Sequence, residues 1–194
     1  MPDDTHDPAE RPATAFIGHR ILASGPLPDV ALKVKAAAEM SPDEAVLVFD
    51  DTTGKVIDLD LRGDARDIVA RLIPEAPKSA GRGRPRLGVV AREVTLLPRH
   101  WDWLAAQPGG ASQALRRLID RARSDDAGQT NLKARQEAAY RFMSAMAGDL
   151  PGFEEASRAL FAGDAASLMQ KMGDWPLGIR DHALRLAGMG AGAH

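Results

Sequence analysis

Ala45-Val-Leu-Val-Phe49-Asp50-Asp51-Thr-Thr-Gly54-Lys55-Val56-Ile-Asp58-Leu59-Asp60-Leu61 is the stretch that decides the fold class. Residues 45–49 form a short apolar run of the kind buried in a sheet. Asp50 to Lys55 then read as a hairpin turn, with Gly54 supplying a positive φ. Val56 to Leu61 is the return strand, its Leu59 and Leu61 alternating with Asp58 and Asp60. Upstream, Thr14 to Ala23 is strand-like and is closed by the turn Ser24-Gly-Pro-Leu-Pro28. A helix follows over Asp29–Met40, with Val30, Leu32, Val34 and Ala37 apolar and Asp29 as its cap. Downstream, Asp64 to Ile73 reads as a second helix. The expected order is β-α-β-β-α.

Four carboxylates on this hairpin, Asp50, Asp51, Asp58 and Asp60, raise a metal-binding reading. Turn residues and the wet face of an edge strand explain them better, and calcium-loop spacing is missing.

Further along, residues 76–86 are Pro-, Gly- and Arg-rich without apolar period and read as a linker. Residues 87–126 give a β-branched strand over Leu87–Leu97, a short helix over Arg99–Gln107, a Pro108-Gly-Gly break and a helix over Ala111–Arg123. Residues 127–187 are helical, with segments Leu132–Ala147, Phe153–Phe161, Asp164–Met172 and Leu177–Ala187. Helices this short need a bundle or another surface to be stable. Residues 1–13, acidic and proline-punctuated, are expected as a disordered lead, unlike a signal peptide, and 188–194 as a flexible tail. The fold class is α+β, with 14–75 as a small α/β unit.

Charge is sorted along the chain. Residues 1–75 carry 8 basic and 15 acidic side chains, a net of −7, whereas residues 76–123 carry 10 basic and 3 acidic, a net of +7. Residues 124–194 return to −2. A basic block of this density attracts phosphate through counterion release. It equally fits docking against an acidic partner, or against the protein's own acidic part, and that interaction-module reading stays open.

Gly81-Arg82-Gly83-Arg84-Pro85-Arg86 resembles the core of an AT-hook. The resemblance implies that Arg82 and Arg84 enter the minor groove of A/T-rich DNA, that Gly83 and Pro85 shape the backbone, and that Arg86 meets phosphate. Glu93-Val-Thr-Leu-Leu-Pro98, the short helix, the glycine break and Ser112-Gln-Ala-Leu-Arg-Arg-Leu-Ile119 resemble a ribbon-helix-helix module. That resemblance implies a homodimer whose paired strands enter the major groove, with Arg92, Val94 and Leu96 facing the bases if the Leu-Pro junction sets the register, or Glu93 facing phosphates if the register shifts by one. It also implies a phosphate grip by backbone N–H groups of Gly110, Ala111 and Ser112, with Arg116 alongside. One departure stands out: Val94 and Leu96 are aliphatic where the family is usually polar.

The stretch Gly83–Arg123, with its run Gly88-Val-Val-Ala-Arg-Glu-Val-Thr-Leu-Leu-Pro-Arg-His-Trp101, and Asp181-His-Ala-Leu184 near the end make most of the chain similar to an uncharacterised bacterial domain-of-unknown-function family, a resemblance that implies no activity. Chemistry elsewhere is sparse. The chain has no cysteine, which excludes disulfides and thiol catalysis. His6, His19, His100, His182 and His194 are isolated in sequence, without a metal-binding pair. Nucleophile-elbow, phosphate-loop and dinucleotide motifs are missing. Arg180, Asp181 and His182 read as the plain start of a helix. The expectation is a DNA-binding regulator or nucleoid-associated homodimer, cytoplasmic, without cofactor, metal, membrane span or catalytic site.

Overall fold

The computed structural model describes residues 10–73, 93–126 and 128–190. The chain falls into two compact units, Met1–Ala76 with Asn131–His194, and Pro77–Thr130.

The first unit is built on β1 (Pro12–Ile17), β2 (Arg20–Pro26), α1 (Leu27–Met40), β3 (Val46–Asp50), β4 (Val56–Ile57) and α2 (Ala65–Leu72). The four strands form one antiparallel sheet in the order β2-β1-β3-β4. The α+β class is therefore observed, but the order is β-β-α-β-β-α. The expected single strand over Thr14–Ala23 is a hairpin, because the chain reverses at Gly18–His19, where Gly18 takes φ +52°. Unbroken apolar character on both sides of that turn hid it from the period count. Ser24, Gly25 and Pro26, expected as a turn, instead pair with Thr14, Ala13 and Pro12. The chain then enters α1 directly from Pro26, so Asp29 is no cap; it lies in the first turn, where its charge suits the helix dipole. The hairpin at Asp50–Lys55 forms as expected, but β4 is only two residues long. Beyond it Asp60 leaves the sheet and pairs with Arg62 at 2.7 Å and Arg71 at 2.8 Å.

Strand alternation sends side chains to two opposite covers. On one face Ala13, Ala15, Ala23 and Val48 join Leu27, Val30 and Val34 of α1, with Leu72 of α2 packed against them. On the other, Phe16 and Phe49 join α5 (Gln129–Ala147), α6 (Phe153–Ala162), α7 (Ala165–Lys171) and α8 (Leu177–Ala187). Segments that read in the sequence as an α/β unit and a helical domain thus share one core. This explains why β1 is buried along Ala13–Phe16 rather than alternately. Phe142 of α5 sits between Phe16 and Phe49, with ring centroids at 5.3 and 4.9 Å.

The second unit contains α3 (Pro98–Ala105) and α4 (Gly110–Asp125). Pro98 opens α3 as expected, its missing N–H costing nothing at a helix start. Among the described residues of this unit, Leu104 and Ala114 are the buried apolar side chains.

Candidate functional site

Two sets of residues are candidates, one in each unit. In the second unit, Gln107-Pro-Gly-Gly110 turns the chain between α3 and α4. Gly109 is left-handed at φ +85°, and no side chain caps α4. Helix starts leave N–H groups without intrahelical partners. The Gly110 N–H is already given to the Gln107 carbonyl at 3.0 Å, so of the expected donors Gly110, Ala111 and Ser112 this one is engaged within the turn. Arg117 donates to the Pro108 carbonyl at 3.2 Å and so braces the turn, while Arg116 is exposed. Val94 is 52% exposed, and Glu93–Leu97 form no strand within the single chain. Arg82, Gly83, Arg84, Pro85, Arg86 and Arg92 lie outside the described residues.

Exposed apolar side chains crowd this small unit. Trp103 is 52% exposed and Ile119 56%, and Leu97, Trp101 and Leu118 are exposed with them. Large side chains left open on a two-helix piece are unusual for a finished surface.

In the first unit a polar network crosses the sheet face that carries Phe16. Asp51, at the end of β3, accepts from the Thr14 hydroxyl at 2.9 Å, and Thr14 also meets the Ser24 hydroxyl at 3.0 Å. Arg185 of α8 donates through Nη2 to Thr14 Oγ1 at 3.2 Å and contacts His182 Nδ1. A guanidinium can only donate, so Nδ1 accepts and the imidazole proton sits on Nε2. That nitrogen lies 3.5 Å from Asp51 Oδ1, and neither atom has another partner. Burial, with the neighbouring Arg185 charge, lowers the His182 pKa to about 3, so the ring is neutral. Burial likewise raises the Asp51 pKa, against the opposing bond from Thr14 and the charge of Arg185.

Asp50 plays a different part. It accepts from the Thr52 and Thr53 N–H groups at 2.8 and 2.7 Å and from Arg11 Nε at 2.5 Å. Burial opposes its charge, but these bonds outweigh burial and its pKa is lowered. Asp50 therefore holds the hairpin turn. Among the described residues no group of three or more His, Asp or Glu is arranged to hold a metal ion. No helix among them is long and apolar enough to cross a membrane.

The family described as "Uncharacterized protein conserved in bacteria (DUF2239)" matches residues 12–187. The chain belongs to this family. No curated protein and no solved structure matches the chain. The DUF2239 match takes in β1, α3, α4 and α8 alike, so the basic segment and the polar network are parts of one family sequence.

Within this DUF2239 chain, sequence reasoning missed the pairing of His182 with Asp51. His182 is 1% exposed and shares the inward stripe of α8 with Ile179, Ala183 and Leu186. Helical spacing from Ile179 carries that signal. Nothing local tells that the partner carboxylate comes from the β3 turn.

Proposed function

We propose that the protein is a homodimeric DNA-binding protein that uses its second unit and the basic segment before it. The observation that carries this reading is the α3–α4 unit itself, which buries only Leu104 and Ala114 among its described residues while Trp101, Trp103, Leu118 and Ile119 stay open. A second copy of the same unit would cover that surface, as an isologous interface does. Glu93–Leu97 form no strand among the described residues of the single chain; pairing with the same segment of a second copy would make one.

Such a dimer brings together two copies of Arg82, Arg84 and Arg86, two strands with Arg92 and Val94, and two α4 starts. The AT-hook resemblance gives Gly83 and Pro85 the part of fitting the arginine segment to a narrow minor groove. The N–H groups of Ala111 and Ser112, with Arg116, would hold phosphates that fix the register. Nucleoid association follows from this reading, and regulation of transcription is one use of it.

Fluorescence anisotropy of an A/T-rich and a G/C-rich duplex, at two salt concentrations, tests the proposal. Binding that weakens steeply with salt and favours the A/T-rich duplex supports it. Failure to bind either duplex at low salt overturns it and leaves the basic segment to an acidic protein partner.

A further inference from the structure

The first unit contains a cavity of about 780 Å³, bordered by the Pro12–Gly25 end of the β1–β2 ladder, the β3–β4 turn, α5 and the end of α8. Its polar lining is Ser24, Asp51, Thr52, Asn131, Arg135 and Arg185. The volume suits a small organic ligand.

Two guanidiniums face this space, and their charge is poorly offset. Arg185 is oriented by Thr14 and by a neutral histidine, and its nearest carboxylate, Asp51 Oδ2, is 3.9 Å away. Asp51 itself resists ionisation because it is buried. Among the described residues Arg135 pairs with no carboxylate. Its guanidinium lies against Gly188, so close that a Cβ there would stand 2.6 Å from Nη1. Gly188 is three residues beyond Arg185, which brings both cations to the same end of the cavity. The start of α5 and the end of α8 carry opposite partial charges, so the helix dipoles largely offset each other here. Two arginines against the one carboxylate of Asp51 leave the lining net positive.

We infer that this cavity binds a small phosphorylated metabolite, its phosphate between Arg135 and Arg185 and its hydroxyls on Ser24, Thr52, Asn131 and Asp51. Two forked cations match a dianion better than a single carboxylate. The hydroxyl and amide groups beside them match a sugar. The inference lies in the first unit and does not depend on the nucleic-acid reading.

Ribose 5-phosphate is the probe, with ribose as its uncharged counterpart and sodium sulfate at matched ionic strength. Calorimetric titration and thermal unfolding of the full chain are the readouts. The expected result is saturable binding of ribose 5-phosphate that stabilises the fold, with no effect of ribose. Arg135→Ala, at an exposed position, should leave the unfolding temperature of the free protein unchanged and weaken binding about tenfold or more. Arg185→Lys keeps the charge but loses the fork, and should weaken binding as well. Absence of saturable binding overturns the inference. So does equal binding by the Arg135→Ala protein, or an equal stabilisation by sulfate in wild type and variant.

Discussion

His182 Nε2 lies 3.5 Å from Asp51 Oδ1, and this pair ties α8 to the end of β3. The two residues are far apart in sequence, and both atoms are sealed from solvent. Phe16 and Phe142 flank the imidazole, with ring centroids at 5.3 and 4.5 Å. Buried polar groups are costly when unpaired, so this one contact pins where the last helix docks on the sheet. Arg185 fixes the tautomer from the other side of the ring.

Acid should therefore weaken the fold through His182. Its folded pKa of about 3 lies below the ordinary value of 6.5, so protonation favours the unfolded chain. The stability it contributes is complete above pH 6.5 and is lost as pH falls towards 3. At pH 5 the loss is about 2 kcal/mol, at about 1.4 kcal/mol per pH unit. Asp51 has the opposite sign: its raised pKa gives a contribution present at low pH and lost as pH rises through the folded value. His182→Gln isolates the histidine. Urea unfolding at pH 7 and pH 5 should show a smaller pH effect in the variant; equal effects would refute this role.

Truncating the ring that joins the sheet to its α5–α8 cover should be severe. Phe142 is fully buried against Phe16, Phe49 and His182. Phe142→Ala should cost about 3–5 kcal/mol, a large part of the stability of an ordinary domain. Phe142→Leu fills much of the space and should cost less. Chemical denaturation of both variants checks the order; a cost under about 1 kcal/mol for the alanine would mean that the sheet and its α5–α8 cover are not coupled through this ring.

Local chemistry made much of this fold legible, and long-range pairing made the rest illegible. The Asp50–Lys55 turn and the helix at Leu177–Ala187 follow from glycine placement and apolar spacing, which act over a few residues. The β1–β2 hairpin was hidden because Phe16-Ile17 and Ile21-Leu22 are apolar on both sides of its turn. Asp50 looked like a wet turn residue, yet it is 3% exposed, because Arg11 and two backbone N–H groups replace its water. The network at His182 and Asp51 depends on α8 docking on the sheet so that its His182 reaches the residue after β3, a contact that no local period encodes. Of the residues picked for DNA, Gly110, Ala111, Ser112 and Arg116 lie on the one helix α4.

Gly54 offers a sharper test of the docking of α5 on the hairpin. Its φ is +67°, and a Cβ there would overlap the backbone carbonyl of Ala138. Gly54→Ala should therefore combine backbone strain of about 1–3 kcal/mol with overpacking of about the same size. Gly128→Ala is the control, since its φ is +82° but its Cβ would meet open space, leaving strain alone. Thermal unfolding should rank the glycine at 54 as the more damaging replacement. Equal shifts would show that α5 yields easily at Ala138.

Ile119→Glu separates the dimer from the fold. The side chain is 56% exposed in the single chain, so the charge should change the stability of an isolated copy by no more than about 0.5 kcal/mol. Covered by a second copy, the same carboxylate would be buried without a partner, and the dimer should dissociate. Sedimentation should then report half the wild-type mass. DNA affinity should fall with it, because each chain alone presents one basic segment and one α4 start. Arg116→Ala makes the comparison decisive: it removes the proposed phosphate contact, so binding should weaken while the mass stays that of the dimer. A wild-type protein that is already monomeric would remove the proposed partner of the α3–α4 surface. An Ile119→Glu protein that stays dimeric would place the interface elsewhere on the molecule.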